Sequence, residues 1–95
     1  MYLMISTYLE PAEVVDAARA DHLAYLERLE KEGYVVSAGR QDPPTGGVIL
    51  LDVDSAADAG RLIADDPYVQ RKLAEYQAIR WTPTRGVLAS WTRPA

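Results

Sequence analysis

The chain has 95 residues, 48% of them hydrophobic and 25% charged, with a net charge of −4 and no cysteine. This is enough for one domain with one core, and it excludes disulfides and thiolate metal sites while fitting a cytoplasmic protein. The longest Lys/Arg cluster is Arg71-Lys72, which argues against a nucleic-acid surface, and no apolar run nears the roughly 18 residues of a membrane span.

Tyr2 to Leu9 reads as a strand, rich in β-branched and aromatic residues and without the basic leader of a signal peptide. Leu3, Ile5, Thr7 and Leu9 alternate with Tyr2, Met4, Ser6 and Tyr8. Both faces are largely apolar, so something must cover each side. Glu10-Pro11 ends the strand, and Pro11 suits the first turn of a helix. A first helix is expected from about residue 12 to Glu32, closed by Gly33 and basic Arg28 and Lys31. Tyr34 to Ala38 is the second strand, and Gly39 to Gly47 is a loop by composition. Val48 to Val53 is the third strand, again apolar on both faces.

Ser55-Ala56-Ala57-Asp58 has capping-box spacing and opens a second helix with Ala59, Leu62 and Ile63 inward. Asp65-Asp66-Pro67 ends that helix, because proline pushes the preceding residue out of helical geometry. Pro67 to Leu73 allows one further helical turn, and Tyr76 to Trp81 is the fourth strand. The tail from residue 86 to 95 is expected to add a short edge strand through Val87, Leu88 and Trp91. The order is β-α-β-β-α-β in a single α+β domain over residues 1–95, the ferredoxin-like unit with an antiparallel sheet. Two helices cover one face of such a sheet. The other face, apolar here, predicts a homodimer whose sheets pack together or close into a joint barrel.

His22 is the only histidine, and histidine is the side chain most easily tuned to change charge near neutral pH. Val15, Ala18, His22, Leu26 and Leu29 share one helical stripe. His22 therefore points toward the sheet or a cavity beside it. A core histidine with one backbone hydrogen bond satisfies the same pattern.

Arg19-x-x-His22-Leu23-x-Tyr25-Leu26, then Ala38-Gly39, Gly46-Gly47 and Asp66-Pro67-Tyr68, follow one another in an order that resembles the YCII-related (YciI-like) family of small bacterial proteins. The resemblance runs over roughly residues 1–82. It implies a dimeric α+β barrel, an architecture shared with muconolactone isomerases and antibiotic-biosynthesis-type monooxygenases. It also implies a His–Asp active site, which by motif match is His22 with Asp66. One branch of the family looks like an enzyme that eliminates chloride from a chlorinated trihydroxybenzene. The chain departs from the pattern at Arg40, where many members have proline, and in its longer tail.

In a His–carboxylate pair the acid fixes the imidazole tautomer and steadies the imidazolium that forms. Such a pair can move a proton for isomerisation, elimination or cyclisation with no cofactor. Asp66 before Pro67 is equally a helix cap, and Asp65 is a rival partner for His22. Arg19 and Arg40 are candidate forks for a substrate carboxylate or phenolate, with Arg80 of similar standing. Tyr68 is the candidate ligand-facing aromatic, and Tyr8, Tyr34 and Trp81 could line the same pocket. One histidine with scattered carboxylates makes no convincing metal set. The sequence thus predicts a cofactor-independent lyase or isomerase taking a small aromatic, enolisable or anionic molecule. The alternative is a non-catalytic ligand-binding or accessory protein using the same pocket.

Overall fold

The computed structural model describes residues 1–92. In chain order the elements are β1 (Tyr2–Tyr8), α1 (Ala12–Asp16), α2 (Arg19–Lys31), β2 (Val35–Arg40), β3 (Gly47–Leu51), α3 (Ala56–Ala64), α4 (Pro67–Gln70) and β4 (Ala74–Arg80). The sheet is four-stranded and antiparallel, in the order β2-β3-β1-β4, which is the ferredoxin-like arrangement expected.

The register decides what each face does. Tyr2, Met4 and Ser6 stand opposite Arg80, Ala78 and Tyr76 of β4, and Tyr2 and Met4 stand opposite Leu51 and Ile49 of β3. On this side Tyr2, Met4, Ser6, Ile49 and Leu51 are buried beneath the helices. The principal core is completed by Tyr25 and Leu29 of α2, Val35, and Ala59, Leu62 and Ile63 of α3. On the opposite side Leu3 and Ile5 are half-buried, Thr7 is exposed, and Ile79 is 41% exposed.

The expected first helix is two helices. Ala17 and Ala18 break it with i→i−3 hydrogen bonds, Ala17 N–H to Val14 O at 3.3 Å and Ala18 N–H to Val15 O at 2.9 Å. This tighter turn sends both Val15 and Ala18 into a second buried cluster with Tyr68 and Ala74. Alanine is the strongest helix former, so propensity gave no sign of a break that packing imposes. Tyr25, left out of the expected stripe, belongs to the core at 5% exposure.

Helix α2 stops as anticipated. Gly33 takes φ of 85°, Gly33 N–H bonds Glu30 O at 3.0 Å and Tyr34 N–H bonds Leu29 O at 2.9 Å, a Schellman closure. Ser55 caps α3 by accepting Asp58 N–H at 3.1 Å. The loop expected over residues 39–47 is shorter, because Gly39, Arg40 and Gly47 are already paired in the β2–β3 ladder. Gly46 is held to glycine by a close approach, since a Cβ there would lie 1.8 Å from Ser6 O. Strand β4 begins two residues earlier than expected, after Lys72 turns the chain at φ of 59°.

The tail forms no edge strand among the described residues. Gly86 at φ of 86° opens a local turn, in which Ala89 N–H bonds Gly86 O at 3.1 Å and Trp91 N–H bonds Leu88 O at 3.2 Å. These bonds use backbone groups that a ladder would need. Trp91 Nε1 instead donates to Asp52 Oδ2 at 3.0 Å. The last part of the expected tail, residues 93–95, lies outside the described residues.

Candidate active site

Two helices and the sheet bring the site together. His22 sits in the first turn of α2, and Asp66 is the N-cap of α4. Arg71 just past α4 donates to Asp21 Oδ2 of α2 at 2.5 Å, which ties the two helices together beside these residues. Asp66 is fully buried, at 0% exposure. Its Oδ1 accepts the Tyr68 N–H at 3.0 Å and faces His22 Nδ1 at 2.8 Å, and its Oδ2 accepts the Tyr76 hydroxyl at 2.6 Å. One carboxylate thus caps a helix and holds the histidine. Asp65 is exposed at the end of α3 and takes no part.

A carboxylate oxygen is an acceptor, so the imidazole carries its hydrogen on Nδ1 when the ring is neutral. The opposite nitrogen is then free. Among the described residues no buried side-chain nitrogen or oxygen lacks a partner, and Nε2 has none, so it lies at an accessible surface. The ring plane is fixed by stacking on Tyr68, with centroids 4.0 Å apart and planes 6° from parallel. Tyr68 in turn meets Tyr8 edge-on at 6.0 Å.

His22 opens on a cleft of about 180 Å³ between the helix-covered face of the sheet, α2 and α4. That is room for one small ring; drug-sized ligands occupy roughly 300–1,000 Å³. Leu23, Leu26 and Ile49 supply apolar wall, while Ser6, Ala38 and Gly47 keep the sheet side low. Arg19, Arg40, Tyr8 and Tyr68 also line it. The Tyr68 hydroxyl has no protein partner, and its pKa is raised by burial first and then by Tyr8, with Arg40 and Arg19 acting the other way.

The two cleft arginines differ. Arg40 Nη2 is bonded to Asp16 Oδ1, and its Nε donates to the Tyr8 hydroxyl at 3.0 Å. These bonds raise its pKa further above the ordinary value. Its charge is answered by Asp16, and it stands in β2 rather than in a loop. Among the described residues the Arg19 guanidinium makes no hydrogen bond or ion pair. Arg80 and Trp81 are exposed at the end of β4 and beyond it, Tyr34 is half-buried against the principal core, and none of the three lines the cleft. Among the described residues no group of three or more His, Cys, Asp or Glu is placed to hold a metal ion.

Sequence reasoning missed Tyr76, Ser6 and Asp16. Tyr76 and Ser6 alternate onto the helix-covered face, a period-2 signal that places them on a face but names no partner. Tyr76 is pushed well above the usual phenol range by burial and then by the Asp66 charge, and Tyr25, whose hydroxyl donates to Leu62 O at 2.6 Å, is raised by burial and by Asp66 as well. Both hydroxyls therefore stay protonated while folded. In the unfolded chain they ionise near 10.0. Their contribution is complete below that value and is lost as pH rises toward the folded values, at about 1.4 kcal/mol per pH unit for each. Urea midpoints at pH 9 and pH 11 are expected to fall accordingly; equal midpoints would contradict it.

The fold and the site define a class: a small α+β domain in which a buried carboxylate holds the only histidine against a small, partly aromatic cleft. The chain belongs to the YCII-related domain family, whose model matches residues 1–82. Among solved structures it is similar to 5-chloro-2-hydroxyhydroquinone dehydrochlorinase from Burkholderia phenoliruptrix AC1100, in complex with 2,5-dihydroxybenzoquinone. The TM-score is 0.68 and the identity 24%, over 85% of this chain and 93% of that one, a likeness of fold. None of the curated proteins matches the sequence. No helix among the described residues is long and apolar enough to cross a membrane.

Proposed function

We propose that this protein is a cofactor-independent lyase or isomerase acting on a small aromatic or enolisable molecule, with His22 as general base and acid and Asp66 as its orienting partner. The observation that carries the reading is His22 Nδ1 held 2.8 Å from Asp66 Oδ1 while Nε2 opens to the cleft. Nε2 takes a proton from a hydroxyl or from carbon beside a carbonyl. The electron pair released either takes the proton back at another carbon, giving isomerisation, or expels a leaving group, giving elimination. Both balance without an oxidant or reductant. Acid–base help of this kind supplies about 10²–10⁴-fold.

Arg19, with no partner of its own, anchors an anionic oxygen of the substrate, and the Tyr68 hydroxyl donates to it. Arg40, already answered by Asp16, shapes the far wall. The open sheet face, with Leu3, Ile5 and Ile79, meets a second copy of the chain. The dehydrochlorination named for the structural neighbour makes halogenated hydroquinols the first compounds to try. Incubation with halogenated hydroquinols, unsaturated lactones and enolisable aromatic acids is expected to give halide release or an isomerised product from one class. Arg19→Gln should raise KM for the anionic members by about tenfold, more than for neutral ones. Tight binding with no chemical change across the panel would make the protein a ligand-binding module instead.

A further inference from the structure

The Asp66 carboxylate is gripped from three elements, and only one grip comes from the sheet. Tyr76 stands on β4 directly opposite Ser6 on β1. Its hydroxyl donates to Asp66 Oδ2 at 2.6 Å, and Ser6 beside it is fixed by the Gly47 N–H at 2.7 Å. The other oxygen, Oδ1, serves both the Tyr68 N–H and His22. Asp66 is fully buried, so without the Tyr76 hydroxyl Oδ2 has no donor and no water to replace it. A buried acceptor in that condition costs more than a rotation. The carboxylate then turns, Oδ2 competes for the Tyr68 N–H, and the fixed line to Nδ1 is lost.

We infer that Tyr76 is a positioning residue: through Asp66 it keeps the hydrogen of His22 on Nδ1 and so leaves the Nε2 lone pair facing the cleft. Burial and the Asp66 charge push the Tyr76 hydroxyl well above the usual phenol range, so it carries its proton at neutral pH. The donor is therefore permanent rather than switched. The consequence for turnover rests on the acid–base reading above, but the tautomer itself is measurable without any substrate.

The test is the long-range proton–nitrogen spectrum of the imidazole at a pH where the ring is neutral. With one histidine in the chain the two ring nitrogens need no assignment. Wild type is expected to show one protonated Nδ1 and one bare Nε2. In Tyr76→Phe, which keeps the ring and its burial, the two nitrogen shifts should move toward each other as both tautomers become populated. Unchanged shifts in a folded Tyr76→Phe protein would overturn the inference. Should that variant fail to fold, the wild type decides: a slowly exchanging Tyr76 hydroxyl proton that is lost in Asp66→Asn supports it, and one exchanging at the solvent rate overturns it. Once a substrate is known, Tyr76→Phe should lower kcat on the order of ten- to a hundredfold with KM within about twofold. A merely structural role would move neither the tautomer nor this split. Absence of turnover in wild type would sink the proposed reaction and leave the tautomer result standing.

Discussion

Replacing His22 by glutamine is expected to lower turnover by about 10²–10⁴-fold while the protein keeps its fold and the sedimentation mass of the wild type. The chain has one histidine and no cysteine, so no second imidazole and no thiolate is available to take over the step. Glutamine retains an N–H that can reach Asp66 and fills most of the space over Tyr68, so the carboxylate keeps its donors. The His22 side chain is only 13% exposed, yet its accessible edge is the one that faces the cleft. The change therefore removes a base without opening a hole in the core. A melting temperature no more than about 4–8 °C below wild type is expected, the shift that a loss of about 1 kcal/mol gives in a domain of this size. Retention of turnover within about threefold would remove His22 from the mechanism. A sedimentation mass different from that of the wild type would show that its role is structural.

Asp66→Ala should be the most damaging single change to stability, at about 3–5 kcal/mol by urea denaturation. It strands the Tyr76 hydroxyl, the Tyr68 N–H and His22 Nδ1 together. It also strips α4 of its cap, worth about 1 kcal/mol by itself. Against a total stability of about 5–15 kcal/mol, this is a large share. Asp66→Asn separates the two roles of the residue. The amide oxygen, in the place of Oδ1, can still cap α4 and accept from His22 Nδ1, but the amide nitrogen in the place of Oδ2 cannot accept from Tyr76, and the negative charge behind the imidazole is gone. The asparagine protein should lose about half as much stability as the alanine protein and essentially all of the turnover. An alanine protein destabilised by less than about 1 kcal/mol would mean that the carboxylate is not the hub that its three hydrogen bonds describe.

Much of the architecture is written in local pattern. The alternation along Tyr2–Tyr8, the Ser55 cap, Gly33 after α2 and Pro67 at the start of α4 are each decided within a few residues, by sterics or by one hydrogen bond. The family resemblance named His22 and Asp66 for the same local reason: each sits in a short motif. The break at Ala17-Ala18 was not legible, because both residues favour a helix and only the cluster around Tyr68 and Ala74 prefers the turn. The tail shows the same limit. Val87, Leu88 and Trp91 suit a strand, but Trp91 found Asp52 and the backbone closed on itself.

The sequence alone determined the β-α-β-β-α-β order, the caps and the single histidine on an inward stripe, since these depend on period and on neighbours a few residues away. Tertiary structure decided which aspartate reaches His22. Asp65 ends α3 in helical geometry while Asp66 is extended at the start of α4, and the packing of α4 beside α2 selects the second. It decided that Arg40 is answered by Asp16, 24 residues earlier, while Arg19 is left open to the cleft. It also decided that Tyr76 completes the grip on Asp66 from a strand ten residues further on. Those outcomes rest on distances between elements, and those distances are set by packing.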